Sequence, residues 1–228
     1  MPSPDGWRMP AEWAPHERTW MAWPSAGYTL GDTEADAEEA RDTWAAVARA
    51  VSHFEPVTVE ETEETRVVRH ANGALLRRHK HHDTTPEHID FAVKRREDWD
   101  RVKPLVRAER RRIDFEGYRR ARERARAAGR FLVVAAIHVF EIMKNIAGHE
   151  HMLIGMADDP EWVHDMVMTF SRLYVELEEM LFAEEGPPDG MWYWEDMGFK
   201  QRPFMSPAMY REIVQEGHRL TFDFAHSR

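Results

Sequence analysis

The stretch that decides the fold class is Phe131-Leu132-Val133-Val134-Ala135-Ala136-Ile137-His138. Its apolar run is too short to span a bilayer. It is also too continuous for a strand with one wet face, so it reads as a parallel strand covered on both sides. Downstream, Asp159 and Pro160 open a long helix. Its apolar stripe runs through Val163, Met166, Val167, Phe170, Leu173, Tyr174, Leu177, Met180 and Leu181. Gly186, Pro187 and Pro188 end that helix, Met191 to Glu195 reads as a second core strand, and Ser206 with Pro207 caps a further helix to about Leu220. Strand, helices, strand and helix therefore alternate from residue 131 onward, the pattern of a parallel α/β domain.

Upstream, Asp114 caps a helix with Phe115, Tyr118, Ala121 and Ala125 on one face, and Gly129 ends it. Thr65 to Arg69 and Ala74 to Arg78 flank Asn72-Gly73, the signal for a two-residue hairpin turn in which both central residues take positive φ. A polar, His-rich link, His79 to Pro86, follows the hairpin. Thr33 with Asp36 makes a capping-box-like start to a helix carrying Ala40, Trp44, Val47, Ala48, Val51 and Phe54, which Pro56 stops. Thr19 to Trp23, ended by Pro24, and Val57 to Val59 read as short strands on either side of it. That strand, helix, strand unit is too small to bury its apolar face alone.

The chain of 228 residues is 43% hydrophobic and has a formal net charge of -10, which argues against general nucleic-acid binding. The Arg-rich stretch from Lys94 to Arg130 interleaves glutamates at helical spacing and reads as a solvated, ion-paired face. There are no cysteines, so neither a disulfide nor a thiol nucleophile is available. No signal-peptide layout and no membrane-spanning run is present, and the expected location is the cytoplasm.

Two resemblances follow from longer motifs. Arg8-Met9-Pro10-Ala11-Glu12-Trp13, Pro15-His16-Glu17 and Thr19-Trp20-Met21-Ala22-Trp23-Pro24 resemble the agmatine deiminase family, which includes bacterial-type peptidyl-arginine deiminases. Phe54-Glu55-Pro56-Val57-Thr58-Val59 continues that likeness. It implies that residues 1–59 are the start of a deiminase β/α propeller, in a family whose thiolate chemistry a chain without cysteine cannot perform.

From Glu60 onward, Glu60-Glu61-Thr62-Glu63-Glu64-Thr65, Gly148-His149-Glu150, Asp159-Pro160-Glu161-Trp162-Val163, Glu195-Asp196-Met197-Gly198 and Phe204-Met205-Ser206-Pro207 resemble uroporphyrinogen decarboxylase-type proteins. That family also contains corrinoid-linked methyltransferases. The resemblance implies an α/β fold in which residues 60–228 form a partial (β/α)8 TIM barrel, with a site at the strand C-termini. The main expectation is thus a lyase-type decarboxylase of a porphyrinogen-like carboxylated substrate, or a methyltransferase, inactive as a truncated chain. The alternatives are an agmatine or peptidyl-arginine deiminase fragment connected with putrescine biosynthesis, and a non-catalytic binding protein made from a degenerate barrel. By the same resemblance the partner is a small-molecule substrate, with no nucleic acid and no membrane, and unpaired barrel edges favour self-association.

His138 ends the first core strand, and Glu195 and Asp196 end the second, so these three are the catalytic candidates. Trp194, Lys200 and Arg202 are the substrate-binding candidates, with Trp192 on the same strand face as Trp194. A strand-end cap, a turn before Gly198 and a solvated loop explain the same residues without a function. His79, His81, His82, Asp83 and His88 contain zinc-type donors but read as a solvated loop, and His149-Glu150-His151 lacks the i, i+4 spacing of a helical zinc motif and reads as turn and capping material. No cofactor and no metal is expected.

Overall fold

Side-chain caps decide where the helices of this protein begin. The computed structural model describes residues 33–51 and 56–228, and the expected strand at residues 19–23 and the apolar position 54 lie outside them. The described chain divides into two compact units, Met1–Glu87 and His88–Arg228.

In the first unit, helix α1 (Glu34–Val51) starts as expected. The Thr33 amide donates to Asp36 at 3.0 Å and the Asp36 amide donates back to Thr33 Oγ1 at 3.2 Å. Strands β1 (Val57–Glu61), β2 (Thr65–Arg69) and β3 (Leu75–His79) form an antiparallel meander, with a register shift between Thr58 and Glu60. Strand β4 (Glu87–Asp90), which begins on the last residue of the unit, completes the sheet order β1-β2-β3-β4. The β2–β3 hairpin is where expected, but its turn is of a different kind. Among the described residues only glycines have positive φ, so Gly73 (φ 84) turns the chain alone while Asn72 keeps a negative φ and accepts from the Ala74 amide at 3.1 Å. The side-chain bond lets a longer loop replace the two-residue turn.

In the second unit, α2 (Arg96–Val102) precedes α3 (Phe115–Ala127), whose cap Asp114 accepts from the Gly117 amide at 2.8 Å. The arginines of α3 do more than face solvent: Arg119 and Arg122 both reach Glu185, a buried carboxylate at the far end of α5. Strand β5 (Val133–Ile137) runs parallel to β6 (Gly190–Trp194), with Val133 opposite Gly190 and Ile137 opposite Trp194.

Cover on both faces of β5 is not found. Phe131 is 85% exposed and Val133 51% exposed. With β6 as its neighbour, β5 alternates between half-buried and exposed positions, so its apolar sequence exceeds its burial. The sheets of the described residues have four, two and two strands, the last pair being β7 (Gly198–Phe199) and β8 (Arg202–Pro203), and none of them closes into a barrel.

Helix α4 (Val139–Asp158) includes His149-Glu150-His151, the run expected to be turn and capping material, just beyond a break at Gly148. Val139, Phe140, Met143, Ala147 and Met152 are completely buried along it. Gly148 (φ 72, ψ 161) is non-helical and separates two helical segments of α4 that meet at a kink, and a Cβ there would lie 2.3 Å from the Phe91 ring. Helix α5 (Pro160–Glu185) starts as expected, with Asp159 accepting from the Trp162 amide at 3.3 Å. It packs along α4, and Met166, Val167 and Phe170 join the core of α4 with Trp99, Ile213 and Val214.

Ser206 caps the last helical stretch, as expected, accepting from the Met209 amide at 3.2 Å. That stretch runs as α6 (Pro207–Met209), a π-helical turn (Tyr210–Val214) and α7 (Gln215–His226), beyond the expected end near Leu220. The Ile213 carbonyl in the π turn accepts from His164 Nδ1 at 2.9 Å. A Cβ on Gly217 would lie 2.4 Å from both Ser171 and Val167, so this glycine lets α7 come close against α5.

Candidate functional site

Parallel strands deliver side chains at their C-terminal ends, and β5 and β6 do so side by side. His138 follows β5 as the N-cap residue of α4, and its amide donates to the Trp194 carbonyl at 3.0 Å. Glu195 follows β6 directly, and its Oε1 accepts from the Phe140 amide at 2.5 Å. The carboxylate thereby satisfies one open N–H at the start of α4, where the helix dipole favours a negative charge. Gly217 brings α7 inward, and His218 beside it completes a cluster with the other two.

The three ligand-type atoms lie within 4.8 Å of one another. His138 Nδ1 is 3.5 Å from Glu195 Oε1, and His218 Nε2 is 2.9 Å from Glu195 Oε2. All three side chains are at most 6% exposed. A ring of aromatic groups walls the site: Tyr193 and Phe222 stack on His138 at 4.7 and 5.5 Å, and Tyr174 meets it edge-on at 6.0 Å. Burial pushes the Glu195 carboxyl up, but contact with His138 and His218 outweighs it and holds the group at about 2. Burial also drives the Tyr174 and Tyr193 hydroxyls far above the ordinary tyrosine range, so both stay neutral donors. Tyr193 donates to Glu178, and Tyr174 to the Ile137 carbonyl.

Of the six residues singled out in the sequence, the structure brings His138 and Glu195 together. Asp196 is exposed, Trp194 is 43% exposed on the same face as Trp192, and Lys200 and Arg202 are exposed on the small β7–β8 hairpin. His218 was not foreseen. It stands in an amphipathic helix far along the chain, and the one signal for it is that Thr221, three residues on, shares its face. The His-rich link is exposed, with His81 bonded to the Glu63 carbonyl.

Comparison with known proteins bears on the N-terminal half of the chain. Residues 8–115 match the family model described as Porphyromonas-type peptidyl-arginine deiminase. A putative agmatine deiminase of Streptomyces avermitilis is 60% identical over 58 residues, which is 25% of this chain and 16% of that protein. A putative agmatine deiminase of Streptomyces coelicolor is 64% identical over 52 residues, 23% of this chain and 15% of that protein. The agmatine deiminase of Stutzerimonas stutzeri is 53% identical over 58 residues, covering 25% and 15%. The N-terminal segment is agmatine deiminase-like. The chain spans about one sixth of the length of the curated relatives it matches. No solved structure matches it.

These matches overturn the main functional expectation. They carry the deiminase likeness, the former alternative, and give no support to a uroporphyrinogen decarboxylase segment. The lyase, methyltransferase and porphyrin-biosynthesis readings fall with it. Local physics accounts for several of the motifs that suggested it. Asp159-Pro160 and Ser206-Pro207 are each a helix cap with proline at the first helical position, and Gly148 serves a positive-φ kink. Any sequence that needs those caps can carry those residues.

Proposed function

We propose that this chain is a deiminase-family fragment whose first unit serves as framework and performs no guanidine hydrolysis itself. The observation that carries the reading is the match of residues 8–115 to the deiminase family model in a chain without a single cysteine. A guanidinium carbon is a poor electrophile, and deimination through a covalent intermediate needs a nucleophile as strong as a thiolate. Carboxylates and imidazoles are present, but neither is as strong a nucleophile as a thiolate, and the buried ones contact one another, as Glu195 does His218 at 2.9 Å. By this reading the function belongs with the metabolism of agmatine-type guanidines, as the relatives' names indicate, and turnover is supplied by residues that this chain lacks. The test is to incubate the purified chain with agmatine and with a peptidyl-arginine substrate and to measure ammonia. No release above the buffer blank is expected. Release that persists through repurification and disappears in a heat-denatured sample would overturn the reading.

A further inference from the structure

The proton positions in the His138–Glu195–His218 cluster can be worked out from their outer partners. Thr221 Oγ1 lies 3.0 Å from the His218 carbonyl and 3.4 Å from that of Gly217, both acceptors only, so its single hydrogen is committed to the helix backbone. The same oxygen is 2.8 Å from His138 Nε2 and is placed to accept from it. That places the His138 proton on Nε2 and leaves the Nδ1 lone pair facing Glu195.

His218 Nδ1 lies 3.0 Å from the Tyr210 hydroxyl. His218 Nε2 stands 2.9 Å from Glu195 Oε2, and the two atoms are buried with no other partner. A neutral His218 that donates from Nδ1 to Tyr210 carries its lone pair on Nε2, the atom nearest the carboxylate. With both imidazoles in these neutral tautomers, two lone pairs and a carboxylate anion converge in a site walled by aromatic rings. Buried like-signed groups repel strongly in such surroundings unless a cation sits among them.

The geometry points to a divalent metal ion of the zinc class, held by His138 Nδ1, Glu195 Oε2 and His218 Nε2. Imidazole and carboxylate donors bind such an ion at about 2.0 to 2.2 Å, which sets tetrahedral neighbours roughly 3.3 Å apart. His218 Nε2 and Glu195 Oε2 stand 2.9 Å apart, and one ligand atom from each of the three residues lies within 4.8 Å of the others, so modest side-chain adjustment reaches that spacing. The outer partners are those of a metal centre: Thr221 and Tyr210 fix the two tautomers, and the Phe140 amide holds Glu195 Oε1. Two histidines and one glutamate leave a fourth position for water or another oxygen ligand. The inference is independent of the deiminase likeness of residues 8–115.

The test uses the full chain, stripped with a chelator and titrated with Zn²⁺ and Co²⁺ by calorimetry and visible absorption. The exposed histidines of the first unit are a second source of affinity, so His79, His81 and His82 are replaced together by alanine. That variant is expected to keep one equivalent of metal and the intense Co²⁺ absorption of a four-coordinate site. Glu195→Gln and His218→Ala are expected to weaken binding roughly 100-fold or more. Should they fail to fold, Thr221→Val and Tyr210→Phe leave every ligand in place and are expected to weaken it about 10- to 100-fold. Absence of stoichiometric binding in the triple-alanine variant, or affinity unchanged by all of the soluble substitutions, overturns the proposal and leaves a proton-bridged polar cluster.

Discussion

Glu178 offers a quantitative check on the packing around β6. Its side chain on α5 is 7% exposed, Oε1 accepts from the Tyr193 hydroxyl at 2.6 Å, and Oε2 is buried without a hydrogen-bond partner. Burial dominates the Tyr193 hydrogen bond and raises the carboxyl from 4.5 to about 7. Because the folded value lies above the unfolded one, the folded state prefers the protonated acid. That contribution is fully present below pH 4.5 and is lost as pH rises through 7. At 1.36 kcal/mol per pKa unit, the gap corresponds to about 3 kcal/mol. Glutamine cannot titrate, so the stability of Glu178→Gln relative to the parent should rise by that amount between pH 4.5 and pH 8. Urea unfolding of both proteins, followed by far-ultraviolet circular dichroism across this range, measures the difference directly. Other titrating groups largely cancel between the two proteins. A difference that stays flat would show that Glu178 is ionised in the folded protein and that the site is wetter than the structure implies.

Two further predictions concern the helices. Asp159→Ala removes the cap of α5 and the partner of Arg96, whose Nε donates to it at 2.8 Å, and is expected to cost about 1 to 2 kcal/mol in urea unfolding. Gly148→Ala forces a side chain into positive φ and against the Phe91 ring, and should cost about 2 kcal/mol or more, lowering the melting temperature of the second unit. A neutral result for either substitution would mean that the corresponding helix start or kink is not as described.

Capping was the most legible level of the fold. Thr33 with Asp36, Asp114, Asp159 and Ser206 all cap the helices expected of them, because a cap is a contact across three residues and its partners are adjacent in the sequence. The two parallel strands were also readable, from short apolar runs that follow the glycine and proline helix stops at Gly129 and Gly186-Pro187-Pro188. Their burial was not, since exposure depends on which elements come to lie over a strand. Helix α4 escaped notice because Gly148-His149-Glu150 looks like punctuation. Only the packing of Phe91 shows why the glycine is tolerated there.

The site was half legible. His138 and Glu195 could be placed by their positions at strand ends, whereas His218 comes from a helix whose rotation no local pattern fixes. The decarboxylase likeness misled for a related reason, as short capping and turn motifs are shared by unrelated chains. The denser deiminase motifs at residues 8–24, rich in tryptophan, proline and methionine, are harder to reproduce by local need, and that likeness is the one the matches support.

The π-helical turn at Tyr210–Val214 acts as a phase adjuster for the cluster. In an unbroken α-helix, eight residues advance by about 800°, which leaves the two ends roughly 80° out of line. Absorbing one extra residue in a π turn cuts that advance to about 700°, within roughly 20° of alignment. Tyr210 and His218 are eight apart, and their side chains meet at 3.0 Å. Removing the one absorbed residue would leave that phase unchanged, since seven α-helical residues also advance by about 700°, whereas adding a residue that the turn cannot absorb would rotate one contact surface against the other by about a quarter of a revolution. His218 would then lose either Tyr210 or Glu195, so the cluster depends on a count of residues as much as on their identity.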